Sequence, residues 1–288
     1  MSAMNPLFRL SCLFLVATAL RAASGPDFHS RIGLQLYSLR VQAKESVTAA
    51  LDLAKSYGVT EIESAGPGNL TMAQFAQELR SRGLNAVAAH TSHEAMLKDS
   101  ASVIRDAKTL GVKYLIVPSL PHRGGFKADD ARRIAADFNT FGAACKAAGL
   151  RFGYHPHGFE FNPTGAGGGE LVFDVLVRET KSDLVCFEMD VFWVFHAGQD
   201  PAKLLTKYPN RWALLHVKDI RKGAVTGLAT GSAAPTDNVT VGTGQINWPE
   251  VLKAAQKIGV EHYFIEDETP TPLQCIPDSL KFLRGLKL

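Results

Sequence analysis

The chain has 288 residues, 46% of them hydrophobic and 20% charged, with a net charge of +3 and no Lys/Arg run longer than two. That composition leaves room for a large core. It lacks the basic footprint that nucleic-acid binding requires, so the expected partner is a small molecule that is neutral or modestly charged.

In chain order, Arg9 precedes the apolar run Leu10–Leu20 (LSCLFLVATAL), which is too short to span a bilayer but fits the core of a signal peptide. Ala17 and Ala19 frame one cleavage site, Ala22 and Ser24 another. Residues 1–24 are therefore read as a signal peptide and 25–288 as one exported, periplasmic domain, with no stable membrane insertion once the leader is removed. Cys12 lies in the leader. Cys145, Cys186 and Cys275 are odd in number and widely spaced, which implies buried free thiols and no disulfide framework or zinc knuckle.

From Arg31 onward one phrase recurs: a helical stretch, a glycine, then an apolar run ending in a polar residue, as in YGVTEIES, RGLNAVAAH, LGVKYLIVPS, AGLRFGYHP and IGVEHYFIEDE. The glycines suit the left-handed position past a helix C-terminus, and the apolar runs read as strands buried on both faces. Eight strands follow, at 32–39, 59–64, 85–90, 113–119, 151–156, 184–190, 212–218 and 262–267. Helical patterns such as SVTAALDLAKSY, TMAQFAQELRSR, DARRIAADFNTFGAACKAA and NWPEVLKAAQKI alternate with them. This rhythm predicts an α/β fold of the (β/α)8 TIM-barrel type. A doubly wound open sheet is the alternative, but no glycine-rich phosphate loop follows the first strand. Gly167 to Gly169 read as a flexible loop, and the Gly/Ser/Thr-rich segment 222–245 as a surface loop or lid.

In such a barrel, function collects where strands run out toward the following helices. The second strand ends in Glu63, the third in His90 with His93 near, the fourth runs to His122, and the fifth to His155, His157 and Glu160. The sixth carries Glu188, Asp190 and then His196, the seventh His216, Lys218 and Asp219, and the eighth Glu266, Asp267 and Glu268. Seven of the nine histidines lie at or just beyond these ends. Imidazoles and carboxylates converging on one point suit a divalent ion of the Mn, Co, Zn or Mg type. Such an ion would polarise adjacent sugar oxygens while a carboxylate moves a proton. Glu266, Asp190 and His216 are the expected ligands, each in an apolar run where a buried polar group needs a partner or an ion. Glu188 is expected deeper in the barrel, in an ion pair. His90 and His122 are candidate substrate contacts, Trp193 a candidate stacking surface for a sugar ring, and His93, His196 and His262 are read as structural.

The segments YHPHGFEF, EMDVFWVFHAGQDP, YPNRWALLHVKDI and VGTGQINWPEVLKAAQKIGVEHYFIEDE, in this order, resemble the sugar phosphate isomerase/epimerase family with a xylose isomerase-like TIM barrel. The resemblance covers nearly the whole chain after the leader. It implies one divalent metal, often manganese, held by carboxylates of the fifth, sixth and eighth strands and a histidine of the seventh, which here would be Asp190, His216 and Glu266. The fifth strand departs from the pattern, because His155 stands where the family's simplest members carry glutamate. Glu160, five residues on, is expected to turn back as the fourth ligand, with His155 as the alternative.

The expected activity is a metal-dependent sugar isomerase or epimerase acting on a free or keto sugar. Glu160 and Glu266 would be its acid/base pair, and His90, His122, His155, His157, Trp193 and Lys218 would contact substrate. Elimination from a 3-keto-glycoside would use the same proton abstraction. A noncatalytic sugar-binding protein and an apurinic-endonuclease-like phosphodiesterase are the competing readings.

Overall fold

The computed structural model describes residues 27–288 apart from 123–124 and 166–167. The leader expected at 1–24, and Gly167 of the expected flexible loop, lie outside the described residues. Strands β1 (Ile32–Gln35), β2 (Glu61–Ser64), β3 (Asn85–His90), β4 (Tyr114–Val117), β5 (Arg151–Tyr154), β6 (Val185–Asp190) and β7 (Trp212–Val217) are followed by the short β8 (Asp219–Ile220) and β9 (Asn238–Val239), then β10 (His262–Ile265). Eight of these close into a parallel barrel in the order β1-β10-β7-β6-β5-β4-β3-β2, while β8 and β9 form a separate antiparallel pair. The expected (β/α)8 architecture is therefore the observed one. The first strand is shorter than expected, because Leu36–Leu39 turn into a 3-10 helix.

Local chemistry sets the helix ends. Ser46 accepts from the Ala49 N–H at the start of the helix Val47–Ser56, and Thr71 and Gln74 form a reciprocal cap before Met72–Ser81, satisfying amides that a helix start leaves unpaired. At the other end, Gly111 and Gly259 take φ of +84° and +83°, a conformation that glycine adopts without steric cost.

The period of two along a strand decides what the barrel encloses. On β6, Met189 packs outward into the main apolar core, while Glu188 and Asp190 on either side face in. Leu215 and Val217 on β7 belong to the outer core, leaving His216 and then Lys218 inside. Val87, Ala88, Tyr114, Ile116, Cys186, Ala213, Leu214 and Phe264 form a separate apolar cluster in the lumen. Gly153 leaves space there, since a Cβ at that position would lie 2.6 Å from Ile116. Gln35, Glu63, His90, Glu188 and His216 come together as a polar layer at the strand ends. The cysteines are free, with Cys145 and Cys186 buried and Cys275 half-buried. No helix among the described residues is long and apolar enough to cross a membrane.

The long segment after β8 is anchored across the mouth. The Gly227 and Leu228 N–H groups donate to the His196 carbonyl, and Asn162 Nδ2 donates to Ala229 O at 2.8 Å. Asp219 ties the later part of this segment to the barrel. Its carboxylate accepts from Ile220 N (2.8 Å), Gly242 N (2.9 Å), Gly244 N (3.1 Å) and Trp248 Nε1 (2.9 Å). Gly244 fits so closely that a Cβ would lie 2.1 Å from Asp219 Oδ1. Asp219→Ala would leave these donors unpaired, a loss on the order of 3 kcal/mol. In thermal denaturation it should lower Tm by roughly 6 to 10 °C; a wild-type Tm would show that Asp219 does not hold this segment.

Candidate metal centre

Inward-facing side chains of β2, β3, β6 and β7, with those just beyond β5, β7 and β10, form one continuous polar cluster. Its lower part is hydrogen-bonded through one oxygen of each carboxylate, while Glu63 Oε1 and Glu188 Oε1 have no partner. His216 Nε2 lies 2.6 Å from Glu63 Oε2 and 3.3 Å from Glu188 Oε2, and His155 Nδ1 lies 3.0 Å from Glu188 Oε2. Gln35 Nε2 donates to Glu63 Oε2 at 2.7 Å. His90 Nε2 lies 3.2 Å from Glu63 and 3.5 Å from Glu188. Burial alone would lower the His90 pKa; the Glu63 charge and the hydrogen bond to Glu188 outweigh it and raise it to about 9.

The upper part of the cluster is different. His155 Nε2, Asp190 Oδ2 and His216 Nδ1 are buried and make no hydrogen bond, although they lie close together. Asp190 Oδ2 is 3.5 Å from His155 Nε2 and 4.0 Å from His216 Nδ1, and Glu266 Oε2 is 3.4 Å from His216 Nδ1. Buried polar atoms are ordinarily paired, so three unpaired ones converging beside the Glu266 carboxylate are the arrangement expected around a cation. Two imidazole nitrogens and two carboxylate oxygens are a suitable donor set for a divalent ion. The lower layer supports that role. Glu188 and Glu63 accept the N–H on the far side of His155 and His216, which fixes each ring with its lone pair toward the site.

Charge follows the same pattern. Burial would raise the Glu266 and Asp190 carboxyls, but the Lys218 ammonium, with His216 beside Glu266 and His155 beside Asp190, holds both below the usual carboxylate range. Lys218 Nζ is 3.2 Å from Glu266 and 3.9 Å from Asp190, and it also donates to Glu268. Burial would lower the Lys218 pKa; Glu266 and Asp190 raise it, keeping the side chain cationic.

Of the expected ligands, the structure brings Asp190, His216 and Glu266 together, and His155 joins them. Glu160 does not. Strand parity turns Tyr154 outward, where it packs against Phe138, and Glu160 meets it there. The Glu160 carboxylate accepts from the Tyr154 hydroxyl and, at 3.2 Å, from the His157 backbone N–H. Burial raises its pKa against the opposing effect of these hydrogen bonds. The expected return of Glu160 to the cluster is therefore not observed. Its side chain is fully buried on the other side of the strand.

His157 does border the cluster, with its ring 4.7 Å from that of His155 and 5.6 Å from that of Trp193. Burial lowers its pKa to about 3 and keeps it neutral. His122 stacks on Phe159 at 4.2 Å and hydrogen-bonds Leu120 O, so it makes no contact with the cluster. His93 pairs with Asp137, His262 with Glu61, and His196 stacks on Phe192, consistent with structural roles. Gln35 was missed by sequence reading, and Glu63 was placed at the end of the second strand but given no role. Their positions at the ends of neighbouring inward-facing strands were the available signal.

A family model described as xylose isomerase-like TIM barrel matches residues 51–286. Among solved structures, a sugar phosphate isomerase/epimerase from Parabacteroides distasonis superposes with a TM-score of 0.75 at 26% identity, covering 89% of this chain and 98% of that one. The inosose dehydratase of Clostridium perfringens is 26% identical over 151 residues, 50% of this chain and 49% of its own length. That of Lacticaseibacillus casei is 24% identical over 164 residues, 54% of this chain and 52% of its own length. The chain spans about half the length of the curated relatives it matches. By the extent of the family match and the barrel it forms, the chain belongs to the xylose isomerase-like TIM barrel family.

Proposed function

We propose that the protein is a divalent-metal-dependent enzyme that removes the proton next to the carbonyl of a keto sugar or keto polyol. The convergence of His155 Nε2, Asp190 Oδ2, His216 Nδ1 and Glu266 Oε2, three of them buried without a partner, carries this reading. A divalent ion held by these four would supply Lewis-acid polarisation of a substrate carbonyl. Glu266 takes the proton: among the carboxylates of the cluster it alone reaches the surface, at 8% exposure, while Glu63, Glu188 and Asp190 are at 0%. Lys218, fixed between Glu266 and Glu268, places a positive charge where negative charge develops on the substrate oxygen. His157 and Trp193 bound the reacting sugar on the side toward β5 and β6.

Isomerisation or epimerisation returns the proton to carbon; elimination instead expels a hydroxyl from the neighbouring carbon as water. Epimerisation calls for an acid/base group on each face of the carbon, and the displacement of Glu160 leaves Glu266 as the one cluster carboxylate that reaches the surface. The similarity to inosose dehydratases also supports elimination as the better outcome. Incubating manganese-loaded protein with free keto sugars and inososes in deuterium oxide tests both steps. The expected result is deuterium at the carbon beside the carbonyl, or a product lighter by water, with a loss of about 10²- to 10⁴-fold in Glu266→Gln. Saturable sugar binding without exchange or water loss would favour a noncatalytic binder, and nicking of abasic DNA would favour a phosphodiesterase.

A further inference from the structure

Leu34 on β1 and Leu36 just past it belong to the outer core, so alternation turns the fully buried Gln35 into the barrel. There it is the register partner of Glu63 on β2. Its amide fits in one orientation. The Tyr37 backbone N–H meets one amide atom at 2.9 Å, and a backbone N–H can only donate, so that atom is the oxygen Oε1. The amino group is thereby aimed at Glu63, where Nε2 donates to Oε2 at 2.7 Å.

That one carboxylate oxygen is crowded while its twin is not. His216 Nε2 lies 2.6 Å and His90 Nε2 3.2 Å from Glu63 Oε2, whereas Glu63 Oε1 is buried without a partner. Leaving one buried oxygen unpaired is costly, so the rotation of this carboxylate has to be held from outside. His90 makes the longer contact and is shared with Glu188 Oε2 at 3.5 Å. Gln35 is held more firmly, at one end by the Tyr37 N–H and at the other by the strand register. A chain of hydrogen bonds therefore runs from the Tyr37 N–H through Gln35 and Glu63 to His216. The far nitrogen of that ring, Nδ1, faces Asp190 and Glu266.

We propose that Gln35 is a positioning residue for the metal centre: its amide N–H holds Glu63 Oε2 against His216 Nε2 and so keeps His216 Nδ1 turned toward the ion. The role rests on the metal centre proposed above. Gln35 acts through Glu63 and contacts none of the four ligands, so its effect is read in metal affinity. The test is isothermal titration of the metal-free protein with manganese, alongside thermal melts, for wild type, Gln35→Met, Gln35→Ala, Glu63→Ala and the double variant Gln35→Met/Glu63→Ala. Methionine keeps the length of the side chain and lacks the N–H donor; either Gln35 variant suffices if the other does not fold. Both should bind manganese about tenfold or more weakly than wild type. In the Glu63→Ala background, adding Gln35→Met should weaken binding by less than about twofold, because the contact it acts through is already gone. A residue that merely supports the fold would lower Tm without this coupling. Wild-type manganese affinity in the Gln35 variants, or single effects that multiply in the double variant, would overturn the role and leave the metal centre standing. Wild-type protein that takes up no manganese would overturn both.

Discussion

Asp190→Ala should purify without a stoichiometric divalent ion and turn over substrate about a thousandfold or more slowly than wild type. Asp190 Oδ2 faces the unpaired nitrogens of both His155, at 3.5 Å, and His216, at 4.0 Å. Its removal leaves two imidazoles and one carboxylate, and the stabilisation a metal gives to developing charge is worth several kcal/mol, which a factor of a thousand in rate reflects. The other oxygen has a separate task. Oδ1 accepts from Trp193 N at 3.1 Å as the cap of the helix Val191–His196, so the alanine variant also loses about 1 kcal/mol of stability. Asp190→Asn separates the two effects, because its side-chain oxygen can still cap the helix while the anionic ligand is gone. Metal content measured by mass spectrometry should drop in both variants and Tm should drop mainly in the alanine. Full metal content and wild-type turnover in both would reject Asp190 as a ligand.

The second large effect separates His155 from Glu160. His155→Ala removes a donor whose Nε2 faces Asp190 and whose Nδ1 is held by Glu188. It should weaken metal binding by at least about a hundredfold, more than loss of an outer hydrogen-bonding partner usually costs. Glu160→Gln should keep the metal and lose stability, because the Tyr154 hydroxyl and the His157 N–H would lose a charged acceptor, with hydrogen bonds of that kind worth about 1.5 to 3 kcal/mol. Isothermal titration with manganese and thermal melts on both variants provide the check. The reverse outcome, with metal lost in Glu160→Gln and retained in His155→Ala, would place Glu160 in the coordination shell.

The fate of Glu160 shows how far the chain could be read in advance. The strand-and-helix rhythm, the glycines past the helix ends and the gathering of histidines at strand ends were enough for the barrel and for the grouping of Asp190, His216 and Glu266. Those three sit on or next to regular strands, where alternation determines which side chains face inward. Glu160 sits five residues beyond His155, past a turn at Gly158 with φ of +98°. Its direction depends on Tyr154 offering a hydroxyl on the outer face, a tertiary contact with no periodic signature. The pairing of Glu63 with His216, 153 residues apart, likewise follows from barrel closure and strand register.

The most direct measurement is the anomalous scattering of manganese soaked into crystals of the protein. The account predicts a single peak within metal-ligand distance, about 2.0 to 2.3 Å, of His155 Nε2, Asp190 Oδ2, His216 Nδ1 and Glu266 Oε2, with Glu160 still bonded to Tyr154. A peak coordinated by Glu160, or one lying among His90, Glu63 and Glu188 in the lower layer, would contradict it.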